Sequence, residues 1–397
     1  MAQKTPNLNV KNLIVEQNKS IKDALNNITT NGLGACFLTN KGKLTNVVTD
    51  GDIRRSLLKG FTLKDKIKSI KTQKFVSVRK THDFFDLQKK IAKYKLVPIV
   101  DEFKNVIDYA NEKRFKQIPQ SEPVFKGKEL EYLTDTIQSG WISSVGKYVN
   151  LFEKEFSKFT KSKYALATSS GTAALQLAIS VLKLKKNDEV IVPDFTFVAP
   201  INAIIHCNAK PVLADVDKET LCISYESIKR LINKNTKAII LVHLYGNTPE
   251  IQKIIRLCQR KKIKIIEDCA EAFGTTYKKK HVGNFGDIGT FSFFGNKTIT
   301  TGEGGILVFK KKEHYILASK LRNQGMSFLK KYWHDEVGYN FRMTNMQAAI
   351  GLAQLEQASF FVKKKIEIQK KFFLKLKNLK GIYFPKINKK IRHSHWL

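Results

Sequence analysis

Along residues 8 to 115, short apolar runs alternate with stretches whose apolar positions recur at helical spacing. IKDALNNI at 21 to 28 reads as a helix, ACFLT at 35 to 39 as a strand, and LTNVVTDGDIRRSLL at 44 to 58 as a strand turning into a helix. The order returns after residue 75 as FVSV, FFDLQKKIAKY, then VPIV and VIDYA. Two βαβ-like halves of similar size predict a small α+β domain over residues 1–117 built on an internal repeat. KQIPQSEPVFKG at 116 to 127 has two prolines and no periodicity, and predicts a connection with the join near 117. From 128 onward near-continuous apolar runs (YALATS, EVIVPDF, PVLADVD, KAIILVHLYG, IKIIEDCAE) each precede an amphipathic or small-residue helical stretch. That rhythm predicts an α/β domain over 118–397, with a mostly parallel sheet and helices on both faces. Ligands bind such sheets beyond the carboxyl ends of the strands.

Composition narrows the function classes. At 42% hydrophobic and 26% charged residues, the 397-residue chain has ordinary globular usage, which excludes a disordered or fibrous protein. Seventy Lys and Arg against thirty-five Asp and Glu give a net charge of +35. The lysines are spread through nearly every segment, so solvated faces are the reading and nucleic acid is not an expected partner. The first twenty residues hold no apolar stretch of signal-peptide length and no run approaches a membrane span, so the expectation is a cytoplasmic protein without a membrane partner. Five widely spaced cysteines with no CxxC pair, and eight histidines with no HExxH, predict reduced packing thiols and no metal site.

Three segments carry candidate chemistry. SSGTAAL at 169 to 175 turns a strand into a helix whose first amides and positive dipole end suit a phosphate, with Gly171 permitting close approach and Thr172 adding a hydroxyl. The same residues are also an ordinary helix cap. IIEDCAEAFG at 265 to 274 ends an apolar strand in consecutive carboxylates. FSFFGNKTITTGEGG at 291 to 305 sets Lys297 between an aromatic run and a glycine-rich turn, where partly apolar surroundings lower an amine's pKa enough for a Schiff base. Taken singly, each has a bland reading. Together, a phosphate cradle, Asp268 at a strand end and Lys297 supply what pyridoxal phosphate requires: amides for the phosphate, a carboxylate for the pyridine nitrogen and an amine for the aldehyde.

With GWISSVGKYVNLFE (140 to 153), VPDFTFVAPINAI, VHLYGN and VGYNFRMTNMQAAIGLAQLE (337 to 356), these segments resemble the DegT/DnrJ/EryC1/StrS family of fold-type I sugar aminotransferases. The resemblance implies Lys297 as the lysine that bonds the cofactor aldehyde and moves the proton during transfer. It assigns Asp268 to the ring nitrogen, Gly171, Thr172 and Ser292 to the phosphate, and Phe197 to the ring face, with Phe195 in the core. Glu271 stands where relatives carry His, Gln or Glu beside the cofactor, and Asn340 is implied to reach the phosphate of a partner subunit, hence a homodimer with shared sites. The implied reaction is amination of a nucleotide-linked 4-keto-6-deoxy sugar by L-glutamate for aminosugar and O-antigen polysaccharide biosynthesis. GDP-4-keto-6-deoxymannose is the favoured substrate and a UDP-linked ketosugar the alternative. A deoxygenating branch replaces the lysine with histidine, so Lys297 points to transfer. In this family a motif like RHSHWL at 392 to 397 opens a C-terminal small domain, so the expectation is a C-terminally short chain, with a weak, mainly regulatory protein as the further alternative.

The first 117 residues resemble a CBS-domain pair, best in VVTDGDIRR at 47 to 55. The resemblance implies an adenine nucleotide held by the Thr49 hydroxyl and the Asp52 carboxylate, at one site rather than two because the second half lacks matching residues. A packing or dimerisation appendage is the other reading.

Overall fold

A computed structural model of the chain describes residues 9–72, 74–80, 83–114 and 121–396. The chain divides into two compact units, Met1–Pro119 and Gln120–Leu397. The expected join near 117 lies outside the described residues.

In the first unit, strand β1 (Ile14–Glu16), helix α1 (Ile21–Asn31), β2 (Ala35–Asn40), β3 (Lys43–Thr49) and α2 (Asp50–Leu57) form one half. Here β1 and β2 are parallel and β3 returns antiparallel to β2. The second half repeats the arrangement: β4 (Val78–Arg79), α3 (Phe84–Tyr94), β5 (Leu96–Val100) and β6 (Val106–Asn111), with β4 parallel and β6 antiparallel to β5. Phe37 and Val47 of one half share a core with Leu96 and Tyr109 of the other. Both α1 and α2 start at capping boxes, Ser20 with Asp23 and Thr49 with Asp52, which satisfy amides that a helix start leaves open.

The second unit opens with α4 (Glu129–Gln138) and α5 (Lys147–Thr160), and then alternates strands and helices. These are β7 (Tyr164–Thr168), α6 (Gly171–Val181), β8 (Glu189–Pro193), α7 (Ala199–His206), β9 (Lys210–Ala214), α8 (Tyr225–Leu231), β10 (Thr236–Val242), α9 (Ile251–Lys261) and β11 (Lys264–Asp268). Two short strands, β12 (Thr276–Tyr277) and β13 (Lys280–His281), precede β14 (Ile288–Ser292) and β15 (Gly305–Phe309). Helices α10 (Lys312–Arg322), α11 (Asn345–Glu356) and α12 (Ala358–Leu376) lead to a last strand, β16 (Ile391–Arg392). The seven-stranded sheet runs β7-β15-β14-β11-β10-β8-β9, parallel except for β15, which is antiparallel to both neighbours. Successive strand residues face opposite sides. Val190, Ile240 and Ile266 pack with Leu177 of α6 and Ile204 of α7, whereas Ile191, Ile239 and Ile265 pack with Ile228 of α8 and Ile254 of α9. Burial on both faces is the reason these strands read as unbroken apolar runs. β16 pairs with β12 in a separate small sheet, and that pairing delivers residues 393–396 to the main domain.

One carboxylate fastens the strand ends. Glu267, fully buried near the end of β11, accepts backbone N–H groups from Phe285 (2.6 Å), Gly286 (2.6 Å) and Gly283 (2.9 Å), and faces His243 Nε2 at 2.9 Å. A carboxylate only accepts, so Nε2 carries the proton. Burial pushes the Glu267 carboxyl up, but His243 and the Gly286 and Gly283 amides outweigh it, and the net shift is downward. Glu267→Ala should lower unfolding stability by about 3–5 kcal/mol, read from denaturant midpoints. Because the folded carboxyl ionises more readily than the unfolded one, its contribution is complete above the ordinary value of 4.5 and is lost as pH falls through the lower folded value. By contrast, cutting the exposed Lys386–Glu219 pair with Lys386→Ala should change stability by less than about 1 kcal/mol.

Candidate active site

At the carboxyl ends of β7, β10, β11 and β14 lies a cavity of about 360 Å³ that gathers Gly171, Thr172, Phe197, Asp268, Glu271, Ser292 and Lys297. One wall is the start of α6. Ser170 caps it by accepting the Ala173 N–H at 3.1 Å, which leaves the amides of the first turn without an intrahelical carbonyl. Gly171 is required there by contact: a Cβ would come within 2.6 Å of the Ser292 Cβ. The Gly171 backbone and the Ser292 side chain are therefore pressed together, and a small anion at the helix start would meet amide and hydroxyl donors at once.

The charged groups face one another. Asp268 is buried at the end of β11; its Oδ1 accepts the Ala270 N–H at 3.0 Å, and among the described residues Oδ2 has no donor. Burial raises its carboxyl, with the Ala270 amide, Lys297 and His243 pulling it back in part. Glu271 is raised as well, chiefly by burial and further by Asp268, against the Tyr245 N–H that binds its Oε2 at 2.8 Å and against Lys297. Burial lowers the Lys297 amine, while Glu271 and Asp268 draw it up. An amine and two carboxyls all displaced toward their neutral forms define a site poised to move protons.

Other singled-out residues lie outside this cavity, among them Asn340, which was implied for a partner subunit's site and not for this one. Asn340 is exposed and lies outside the cavity lining, its Oδ1 held by Arg342 Nη2 at 2.8 Å and Nε at 3.2 Å. Phe195, expected in the core, is instead exposed, because the strand ends at Pro193 and the chain leaves the sheet there, with Thr196 and Phe197 reaching the cavity. In the first unit, Thr49 and Asp52 spend their polar atoms on each other. The Thr49 hydroxyl and the Asp52 carboxylate lie 2.7 Å apart, and Asp52 Oδ1 also binds Arg55 at 2.6 Å. The spacing read as a nucleotide contact is also that of a capping box.

Four contributors escaped the sequence reading. His243 and Glu267 brace the strand ends from the opposite face of the sheet from Asp268. Trp396 lines the cavity with its indole face 3.8 Å from Lys297 Nζ, and Tyr245 stacks on that indole at 6.0 Å between centroids. The Glu267 signal was the first carboxylate of ED at 267 and 268; nothing local links Trp396 to Lys297. A larger, mostly apolar cavity of about 690 Å³, lined by Phe373, Phe384 and His395 among others, also abuts Tyr245. It lacks the facing amine and carboxylates that carry the chemistry.

A half-buried amine, a strand-end carboxylate with an unsatisfied oxygen and a helix start with open amides, set on a seven-stranded sheet with one reversed strand, define a pyridoxal-phosphate-dependent aminotransferase. Comparison with known proteins agrees. The sequence pattern of the DegT/DnrJ/EryC1/StrS aminotransferase family matches residues 123–397, and the chain belongs to that family. It is 49% identical over 280 residues to the GDP-perosamine synthase of Vibrio cholerae, covering 70% of this chain and 76% of that protein. A Streptococcus pneumoniae structure solved in PLP and PMP forms superposes with a TM-score of 0.67 at 28% identity, covering 70% of this chain and 76% of that one. A GDP-4-keto-6-deoxymannose-3-dehydratase variant with bound GDP-perosamine gives a TM-score of 0.67 at 28% identity over 70% of this chain and 78% of that one.

Gly171→Ala should push Ser292 away from the helix start and weaken pyridoxal phosphate binding by about tenfold or more, measured as the dissociation constant from cofactor titration. A wild-type constant would remove this corner from the phosphate site.

Proposed function

We propose that the chain transfers the amino group of L-glutamate to the 4-keto carbon of GDP-4-keto-6-deoxymannose, yielding GDP-perosamine and 2-oxoglutarate for O-antigen polysaccharide synthesis. The observation that carries the reading is the 49% identity to a GDP-perosamine synthase over a stretch that contains a half-buried lysine facing two carboxyls. Pyridoxal phosphate, when bound, supplies an aldehyde to carry the amino group and a ring to take up electrons. Asp268 is suited to hold the ring nitrogen's proton, since the oxygen left without a donor is completed by an N–H. Thr172, Ser292 and the first amides of α6 would anchor the phosphate, and Phe197 at the mouth would cover one ring face. Lys297, with its amine pulled below the ordinary range by burial, is the group to take and return the proton at the reacting carbon, and Glu271 lies beside it.

We also read the first unit as a CBS-type pair over 1–117, joined to an aminotransferase domain over 118–397. The repeated order of a parallel and then an antiparallel strand pair supports that reading. The closed Thr49–Asp52 box favours a packing or assembly role over adenine-nucleotide sensing. The exposed Asn340 and the exposed cavity residue Phe197 support a homodimer in which a second copy covers each cavity.

Purified chain with pyridoxal phosphate, L-glutamate and GDP-4-keto-6-deoxymannose should form GDP-perosamine and equimolar 2-oxoglutarate by mass spectrometry. Product only from a UDP-linked ketosugar would overturn the choice of nucleotide, and no product from either would overturn the activity. Lys297→Ala should reduce turnover by about 10²–10⁴-fold or more with an unchanged circular dichroism spectrum. Asp268→Asn at saturating cofactor should reduce it by roughly 10²–10³-fold, and undiminished turnover would take Asp268 out of the mechanism.

A further inference from the structure

Trp396 is held from three sides before Lys297 is considered. Its indole Nε1–H donates to the Asn296 carbonyl at 2.9 Å, its own carbonyl accepts from Lys365 Nζ at 3.0 Å, and its ring stacks on Tyr245 with the planes 17° apart. It is 7% exposed, and β16, pairing with β12, brings the chain to this point. The clamp fixes the indole face independently of the lysine. Asn296 is the residue immediately before Lys297, so the same hydrogen bond ties the ring to the backbone that carries the amine.

Against this face rests the Lys297 Nζ, 3.8 Å from the ring centroid. No hydrogen bond or ion pair within 4.0 Å joins Lys297 Nζ to a carboxylate among the described residues. The carboxyls that face it, Asp268 and Glu271 from the β11 end, act through space, and Glu303 lines the same cavity. The aromatic face is thus the nearest stabilising surface for a positive amine in a dry pocket, and such contacts strengthen on desolvation.

We propose that Trp396 is a positioning residue for transamination, its indole face serving as the rest for the Lys297 side chain when it is not bonded to the cofactor and holding its ammonium once it has taken the proton. A reacting lysine is set free in each half-reaction and must stay close and aimed while it alternates between amine and ammonium. The π face does this without a salt bridge that would have to be broken at each cycle. Burial lowers the Lys297 amine and the face partly restores it, so the two together keep the group able both to give and to take a proton.

The inference rests on Lys297 being the reacting amine, and its test needs neither cofactor nor sugar, so the contact can fail while the transaminase reading stands. Cofactor-free chain is labelled with trace acetic anhydride across a pH series, and acetylation of the Lys297 peptide is followed by mass spectrometry. Trp396→Leu keeps the position apolar but removes the π face, and should shift the Lys297 midpoint down by about one pH unit; Trp396→Phe should shift it less. An unchanged or raised midpoint in the Leu variant would mean the indole only buries the amine, and would overturn the proposal. A second readout does not require the Trp396 variants to fold. Trp396 is the one buried tryptophan beside Trp141 (58% exposed) and Trp333 (55% exposed), so its emission should titrate with Lys297 in the native chain. That titration should vanish in Lys297→Met, and its persistence would equally overturn the assignment.

Discussion

The site hangs on a carboxylate that takes no part in it. Glu267 draws three backbone N–H groups of the 283–286 loop and the ring of His243 onto the end of β11. Each of those segments leads directly to a working residue: β11 to Asp268, the 283–286 loop to β14 and Lys297, and His243 to Tyr245. With the carboxylate satisfied four times, its burial is tolerated and the segments are fixed relative to one another. Without it, four donors would face a dry interior and the carboxyl ends of the strands would lose their common anchor.

A second constraint follows from opposing effects of burial on charge. The same low-polarity cavity lifts the carboxyls of Asp268 and Glu271 and depresses the amine of Lys297. Each would be unfavourable alone; the lysine's charge moderates both carboxyls and theirs moderates the lysine, while Asp268 pushes Glu271 further up. The arrangement suits a guest with a cationic ring and an anionic tail, since the guest completes partners the chain leaves open at Asp268 and at the start of α6. Binding and proton transfer thus draw on one electrostatic design.

Much of this was legible in the residues. Alternating apolar runs and helices fixed the α/β class, and the separate motifs at 171, 268 and 297 were read as one site because chemistry, rather than proximity in sequence, linked them. What stayed hidden was tertiary. Phe195 looked like core because an aromatic in an apolar run usually is, but the strand ends at Pro193 and the loop leaves the sheet. Trp396 could not be connected to Lys297 while the pairing of β16 with β12 was unknown. Thr49 and Asp52 match a ligand pattern whose spacing is also that of a helix start, and their 2.7 Å contact, which forms the cap, could not be read from the spacing.

That closed box has a thermodynamic corollary for the first unit. Any anion recognised by the Thr49 hydroxyl would first have to displace the Asp52 carboxylate, giving up a hydrogen bond worth about 1 kcal/mol net and so binding roughly fivefold more weakly than to an open hydroxyl. Its arrival would also loosen the Arg55 pair and fray the first turn of α2. Occupancy there would register as lost helical order in a small element, a signal of entropy rather than of shape.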